Sequence, residues 1–163
     1  MGKIVLFLLT QFVFISAYAG EWAVTGDGCK IWNKFPAPNE SVVWEGRCVN
    51  GFVEGKGRLT WIDIANPPEV HEGVWVAGKL TGFAVSTFPG GDRYLGGYVD
   101  GEREGWGVYL WKNGAKYIGK FKNGNFDGVG FKKNTSGLIV EEGLWAKGKL
   151  VHRQKFVMKD FQK

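Results

Sequence analysis

The sequence predicts an all-β protein in which stacked β-hairpins form one elongated, twisted, solenoid-like sheet. Three observations carry that expectation. First, glycine recurs in register. Gly46, Gly51, Gly55 and Gly57 follow Trp44 at offsets of two, seven, eleven and thirteen residues, and Gly96, Gly101, Gly105 and Gly107 follow Tyr94 at the same offsets. Gly119, Gly124, Gly128 and Gly130 stand in the same relation to Tyr117. Second, Asn50-Gly51, Asp100-Gly101 and Asn123-Gly124 are tight-turn dipeptides between runs of strand-forming residues. Third, within those runs the side chains alternate with period two, so one face of each hairpin collects the glycines and the aromatic residues.

Two weaker blocks complete the series. His71 leads Gly73, Gly78 and Gly82, with Ala84 in place of the last glycine, and Glu141 leads Gly143 and Gly148. The blocks account for 17 of the 26 glycines, which makes the spacing an internal repeat rather than a bias of composition. The pattern resembles the MORN repeat, whose signature is an aromatic residue, glycine two positions later, and further glycines spaced by five, four and two. The resemblance covers residues 44–150. It implies stacked hairpins in a family of mostly scaffolding or membrane-associated modules, and it brings no catalytic residue with it.

The remaining segments follow in chain order. Residues 1–19 read as a cleavable signal peptide: Lys3 precedes an apolar run from Ile4, and Ala17-Tyr18-Ala19 supplies small residues for a cut before Gly20. Export to a periplasm or to the outside is therefore expected, since the apolar core is short for a membrane span. In that compartment Cys29 and Cys48 are expected to form one disulfide. Residues 20–43 carry Trp22, Ile31 and Trp32 without the glycine spacing and are expected to cap the first repeat. Pro67-Pro68 marks a loop between the first two blocks. Residues 151–163 form a basic C-terminal cap or tail, either a short helix or a final strand. Glycine in a strand interior signals that something must lie close against the backbone. The aromatic residues of one hairpin are accordingly expected to lie over the glycines of the next.

Composition limits the function. Two cysteines and two histidines leave little for a metal centre, and no cofactor motif is present. Asp63, Asp92, Asp100 and Asp127 fall mostly at expected turns, and His71 fills the aromatic position of its repeat. No motif names a catalytic mechanism, so the chain reads as a non-enzyme. A hydrolase whose carboxylates pair only in space is the third reading. Charge is uneven: residues 20–99 sum to −2 and residues 100–163 to +6. A basic end suits an anionic membrane or envelope surface or an acidic protein, with no role for nucleic acid.

The face opposite the glycines changes character along the chain. It is polar in the first block, with Glu45, Arg58 and Thr60, and apolar later, with Phe83, Leu95, Trp106, Val108 and Phe131. Either the C-terminal segment or the curl of the sheet covers this apolar face, or a partner does. The expected binding surface centres on Trp106, with Phe83 and Phe131 beside it and Leu95 and Val108 beneath. The leading partner is a protein or an anionic surface; a glycan held by exposed aromatics is the alternative.

Overall fold

The computed structural model describes residues 20–156. The expected signal peptide, 1–19, and the end of the basic tail, 157–163, lie outside the described residues. Two short strands, β1 (Glu21–Val24) and β2 (Lys30–Asn33), precede five hairpins. The hairpins are β3 (Ser41–Val49) with β4 (Phe52–Ile62), β5 (Glu69–Val76) with β6 (Lys79–Thr87), and β7 (Arg93–Val99) with β8 (Glu102–Leu110). The last two are β9 (Lys116–Lys122) with β10 (Asn125–Lys133) and β11 (Ile139–Ala146) with β12 (Lys149–Arg153). All 12 strands belong to one sheet, and no helix occurs among the described residues. Neighbours are antiparallel except for a single parallel contact of β2 with β4. The final strand β12 completes the hairpin of the weakest block, while the choice between helix and strand for 157–163 lies outside the described residues.

Each hairpin turns through two residues of positive φ. The first is Asn50, Ala77, Asp100, Asn123 or Lys147, and the second is always glycine. Both positive φ values belong to the tight turn whose twist matches that of the strands. The turn also joins its hairpin to the one before. Gly124 N–H, for example, donates to Arg103 O at 3.0 Å, and Gly101, Gly78 and Gly148 make the equivalent bond to Leu80, Val53 and Phe126. A carboxylate adds a second tie: Glu54 accepts from Ala77 N–H, Glu104 from Asn123 N–H and Asp127 from Lys147 N–H. These three acids occupy one repeat position, ten residues after Trp44, Tyr94 and Tyr117.

The glycines form a row across the sheet. Cross-strand pairing links Gly57 to Gly73, Ala84 to Gly96, Gly96 to Gly107, Gly107 to Gly119, Gly119 to Gly130 and Gly130 to Gly143. The aromatic residues do not lie over the next hairpin's glycines, as expected from sequence, but over their own. A Cβ on Gly46 or Gly57 would stand 2.1 or 2.2 Å from the Trp44 ring. A Cβ on Gly96 or Gly107 would meet Tyr94 at 2.4 or 2.5 Å, and one on Gly119 or Gly130 would meet Tyr117 at 2.5 or 2.3 Å. The reason is a local hydrogen bond that folds each ring back across its strand. Tyr94 and Tyr117 hydroxyls donate to the carbonyls of Gly97 and Lys120, and Trp44 Nε1–H donates to Arg47 O. The glycine at offset eleven has a different task from its neighbours: Gly105, with φ of 74°, sits where the β7–β8 register shifts.

Contact between repeats comes from a second ring, four residues after the first. Trp75 packs edge-on against Trp44 with centroids 4.8 Å apart, Phe121 against Tyr94 at 4.8 Å, and Trp145 against Tyr117 at 5.3 Å. Trp75, Tyr94, Tyr117 and Phe121 are all fully buried, so the core is a ladder of rings on one side of a single sheet. His71 departs from the pattern. Its ring does not cover Gly73, whose surroundings are filled by Ala84 and Leu80.

At the N-terminal end the structure joins Cys29 to Cys48, and β2 docks through Lys30 N–H to Gly51 O and Trp32 N–H to Gly78 O. The cap thus sits on the first two turns. The bond closes a loop with a sequence separation of 19, for which the chain-entropy model gives about 3 kcal/mol. Reduction should therefore lower the denaturation midpoint by an amount corresponding to about that energy. A midpoint unmoved by reductant would show that the hydrogen bonds of the cap hold it without the disulfide.

Candidate functional site

The face opposite the rings is organised by register. One line of directly paired residues crosses nine strands: Glu45, Arg58, Glu72, Val85, Leu95, Val108, Ile118, Phe131 and Glu142. Its first third is ionic, with Arg58 and Glu72 at 3.7 Å, an exposed pair of little energetic weight. From Val85 to Phe131 it is apolar over five strands. The period-two alternation of each strand puts these residues on the outer side while their neighbours Ser86, Tyr94, Tyr109 and Tyr117 point to the core.

Of the five residues expected to form a surface, Leu95, Val108 and Phe131 stand in this line. Trp106 stands in the adjacent line opposite Lys120, whose ammonium lies 5.7 Å from the indole centroid. Phe83 is 67% exposed and lies across from Gly97, on the same side of the aliphatic line as Trp106. The five share one face. Leu95, Trp106, Val108 and Phe131 are half-buried within it, and Phe83 projects from it. Basic groups flank the apolar line. The paired series Arg93, Leu110, Lys116 and Lys133 runs along one side, and Lys120 stands on the other. The chain leaves β12 beside Glu142, whose carboxylate accepts Phe156 N–H at 2.8 Å.

The inner face carries a groove that the sequence did not disclose. It has a volume of about 630 Å³ and runs beside the ring ladder from the cap to the turn of the fourth hairpin, with Trp32, Trp61, His71, Phe88, Arg103 and Asn123 among its walls. Two of its cations are paired, Lys34 with Glu102 at 2.6 Å and Lys79 with Asp100 at 3.6 Å, and His71 Nε2 lies 3.0 Å from Glu69. His71 also bonds Ser86 Oγ at 2.7 Å, which in turn bonds the Tyr98 hydroxyl at 2.7 Å. This Glu–His–Ser order has the composition of a hydrolytic triad, but Ser86 has 0% exposure. A nucleophile must reach its substrate, and this hydroxyl is committed on both sides within the core. No group of His, Cys, Asp and Glu suited to a metal occurs among the described residues.

The aspartates serve turns. Asp63 accepts from Ala65 N–H and Asn66, which holds its carboxyl below the usual range, and Asp92 accepts from Tyr109 and from Lys112 N–H. The tyrosines have shifted ionisation for another reason. Burial pushes Tyr98 and Tyr109 up to about 12, with Asp92 adding to the effect at Tyr109, and burial raises Tyr94 and Tyr117 as well. A phenol that stays protonated in the folded state above the pH where the unfolded chain ionises loses stability as pH rises. Stability should thus fall between about pH 10 and 12, and phenolate absorbance should appear together with unfolding. Phenolate forming near pH 10 at any of these four tyrosines in a chain that is still folded would contradict the buried placement.

A protein-family model described as MORN repeat matches residues 44–63, 71–93, 94–116 and 117–138. The matched stretches coincide with the first four hairpins, and the fifth, β11–β12, extends the same architecture past the last match. No curated protein matches the chain.

Proposed function

Because the chain belongs to the MORN-repeat family, whose repeats generally engage proteins or membranes, we propose that it is an exported, non-enzymatic module that binds an anionic membrane or envelope surface. The contact is the outer face of its second half. One observation supports this reading above the others: the apolar line from Val85 to Phe131 is bordered by Arg93, Lys116, Lys133 and Lys120. Apolar side chains at the level of the lipid headgroups with cations around them are the arrangement that binds acidic bilayers, each basic group near the surface contributing about 1 kcal/mol. The C-terminal sequence carries further positive charge in Lys155, Lys159 and Lys163.

Co-sedimentation with vesicles tests the proposal. Binding should be strong to vesicles rich in phosphatidylglycerol, weak to phosphatidylcholine, and reduced by salt. Phe83→Glu and Lys116→Glu should each weaken binding while thermal stability stays nearly constant, because Phe83 projects into solvent and Lys116 borders the face. Trp106→Ala should weaken it further. If that substitution instead lowers stability by several kcal/mol, on the order expected for a core tryptophan, the indole is packing rather than contact. Binding that ignores lipid charge would reject the anionic surface as partner.

A further inference from the structure

The groove on the inner face contains one cation that breaks the logic of the repeat. Nine residues after Trp44, His71, Tyr94 and Tyr117 stand Val53, Leu80, Arg103 and Phe126. Val53 is fully buried, Leu80 is 6% exposed, and Phe126 packs on Tyr117 with ring centroids 3.9 Å apart. Three repeats therefore place an apolar side chain at this position, and one places a guanidinium. Local departures from a repeated packing rule are where function is to be sought.

The surroundings of Arg103 fit an anion receptor. Its guanidinium carbon lies 5.4–5.8 Å from the centroids of Phe88, Tyr94, Tyr109 and Phe121, and Nη2 donates to Gly124 O at 2.6 Å. The side chain lines the groove. Among the described residues it joins none of the ion pairs that neutralise the neighbouring cations Lys34 and Lys79. A guanidinium has five N–H donors in a planar fork; Gly124 O and the Tyr109 hydroxyl engage part of them, and the ring box holds the fork in place. A carboxylate is its geometric complement.

The groove also indicates what carries the carboxylate. Its floor is a sheet face whose main-chain groups are already paired across β6, β7 and β8, so an extended peptide cannot bind by adding a strand. What it offers is ring surface at Trp61 and planar amide groups at Asn123 and Asn125. Rings that cover the C–H face of a pyranose, with planar side chains that bond pairs of hydroxyls, suit a sugar. We infer that this groove binds an acidic glycan and that Arg103 receives the carboxylate of a sugar acid. This site is separate from the outer face.

Titration of the exported, disulfide-bonded protein with trigalacturonate, followed by tryptophan fluorescence, tests the inference. The acid should bind saturably, and its fully methyl-esterified form, which lacks the charge, should bind at least roughly tenfold more weakly. Arg103→Met, which restores an apolar side chain like those of the sister repeats, should keep the β-sheet circular dichroism spectrum and lose the acid's advantage over the ester. If Arg103→Met fails to fold, the acid–ester comparison on the unaltered protein decides alone. Equal binding of acid and ester, undiminished binding by a folded Arg103→Met protein, or hexaglutamate binding as tightly as the sugar acid would each overturn it. So would no binding at all.

Discussion

Tyr117→Ala should destabilise the protein by about 3–5 kcal/mol, the range for removing a large buried ring. Tyr117 has 0% exposure, stacks on Phe126, meets Phe121 and Trp145 edge-on, and covers Gly119 and Gly130. The collapse that could refill such a space is opposed by the sheet, because the floor beneath the ring is backbone pinned in two ladders. Tyr117→Phe isolates the hydroxyl. It removes only the bond to Lys120 O and should cost about 1 kcal/mol. Chemical denaturation of the two variants checks both values. A loss of less than about 1 kcal/mol for Tyr117→Ala would mean that the ring ladder does not hold the repeats together.

The complementary change is Gly119→Ala, which should lower stability by about 1–3 kcal/mol through overpacking. The added methyl would lie 2.5 Å from the Tyr117 hydroxyl oxygen and 2.6 Å from Gly130 Cα. The first could be relieved by moving a side chain; the second is backbone on the paired strand and cannot move without disturbing the next hairpin. Gly90→Ala is the control. Nothing lies within 4 Å of a methyl there and its φ is not in the left-handed region, so the change should be neutral or slightly stabilising. Equal melting curves for the two alanine variants would refute the placement of rings over their own glycines.

Much of this architecture was legible because glycine spacing, turn dipeptides and period-two alternation all report on backbone. They located the hairpins beginning at Trp44, Tyr94 and Tyr117, and the degenerate one at His71. Direction was not legible: whether a ring lies over its own hairpin or the next depends on the bond from Tyr94 to Gly97 O, which no alternation encodes. The second ring ladder had a visible signal in Trp75, Tyr98, Phe121 and Trp145, all four residues after a block start. The capping acids Glu54, Glu104 and Asp127 had one too. Both would have emerged from reading every offset rather than the glycines alone. The outer surface was readable because alternation assigns Leu95, Val108 and Phe131 to one side. The groove was hidden, since it joins the N-terminal cap at Trp32 to turn residues of the fourth hairpin at Asn123, far apart in sequence.

The claim that the basic, apolar outer face meets an anionic surface is tested most directly by methyl NMR of the unaltered protein with small bicelles containing phosphatidylglycerol and a paramagnetic lipid. Leu95, Val108 and Ile118 should broaden strongly, while Leu59 and Leu80, which face the ring ladder, should remain sharp. Broadening confined to the inner-face leucines, or equal on both faces, would contradict the proposed orientation.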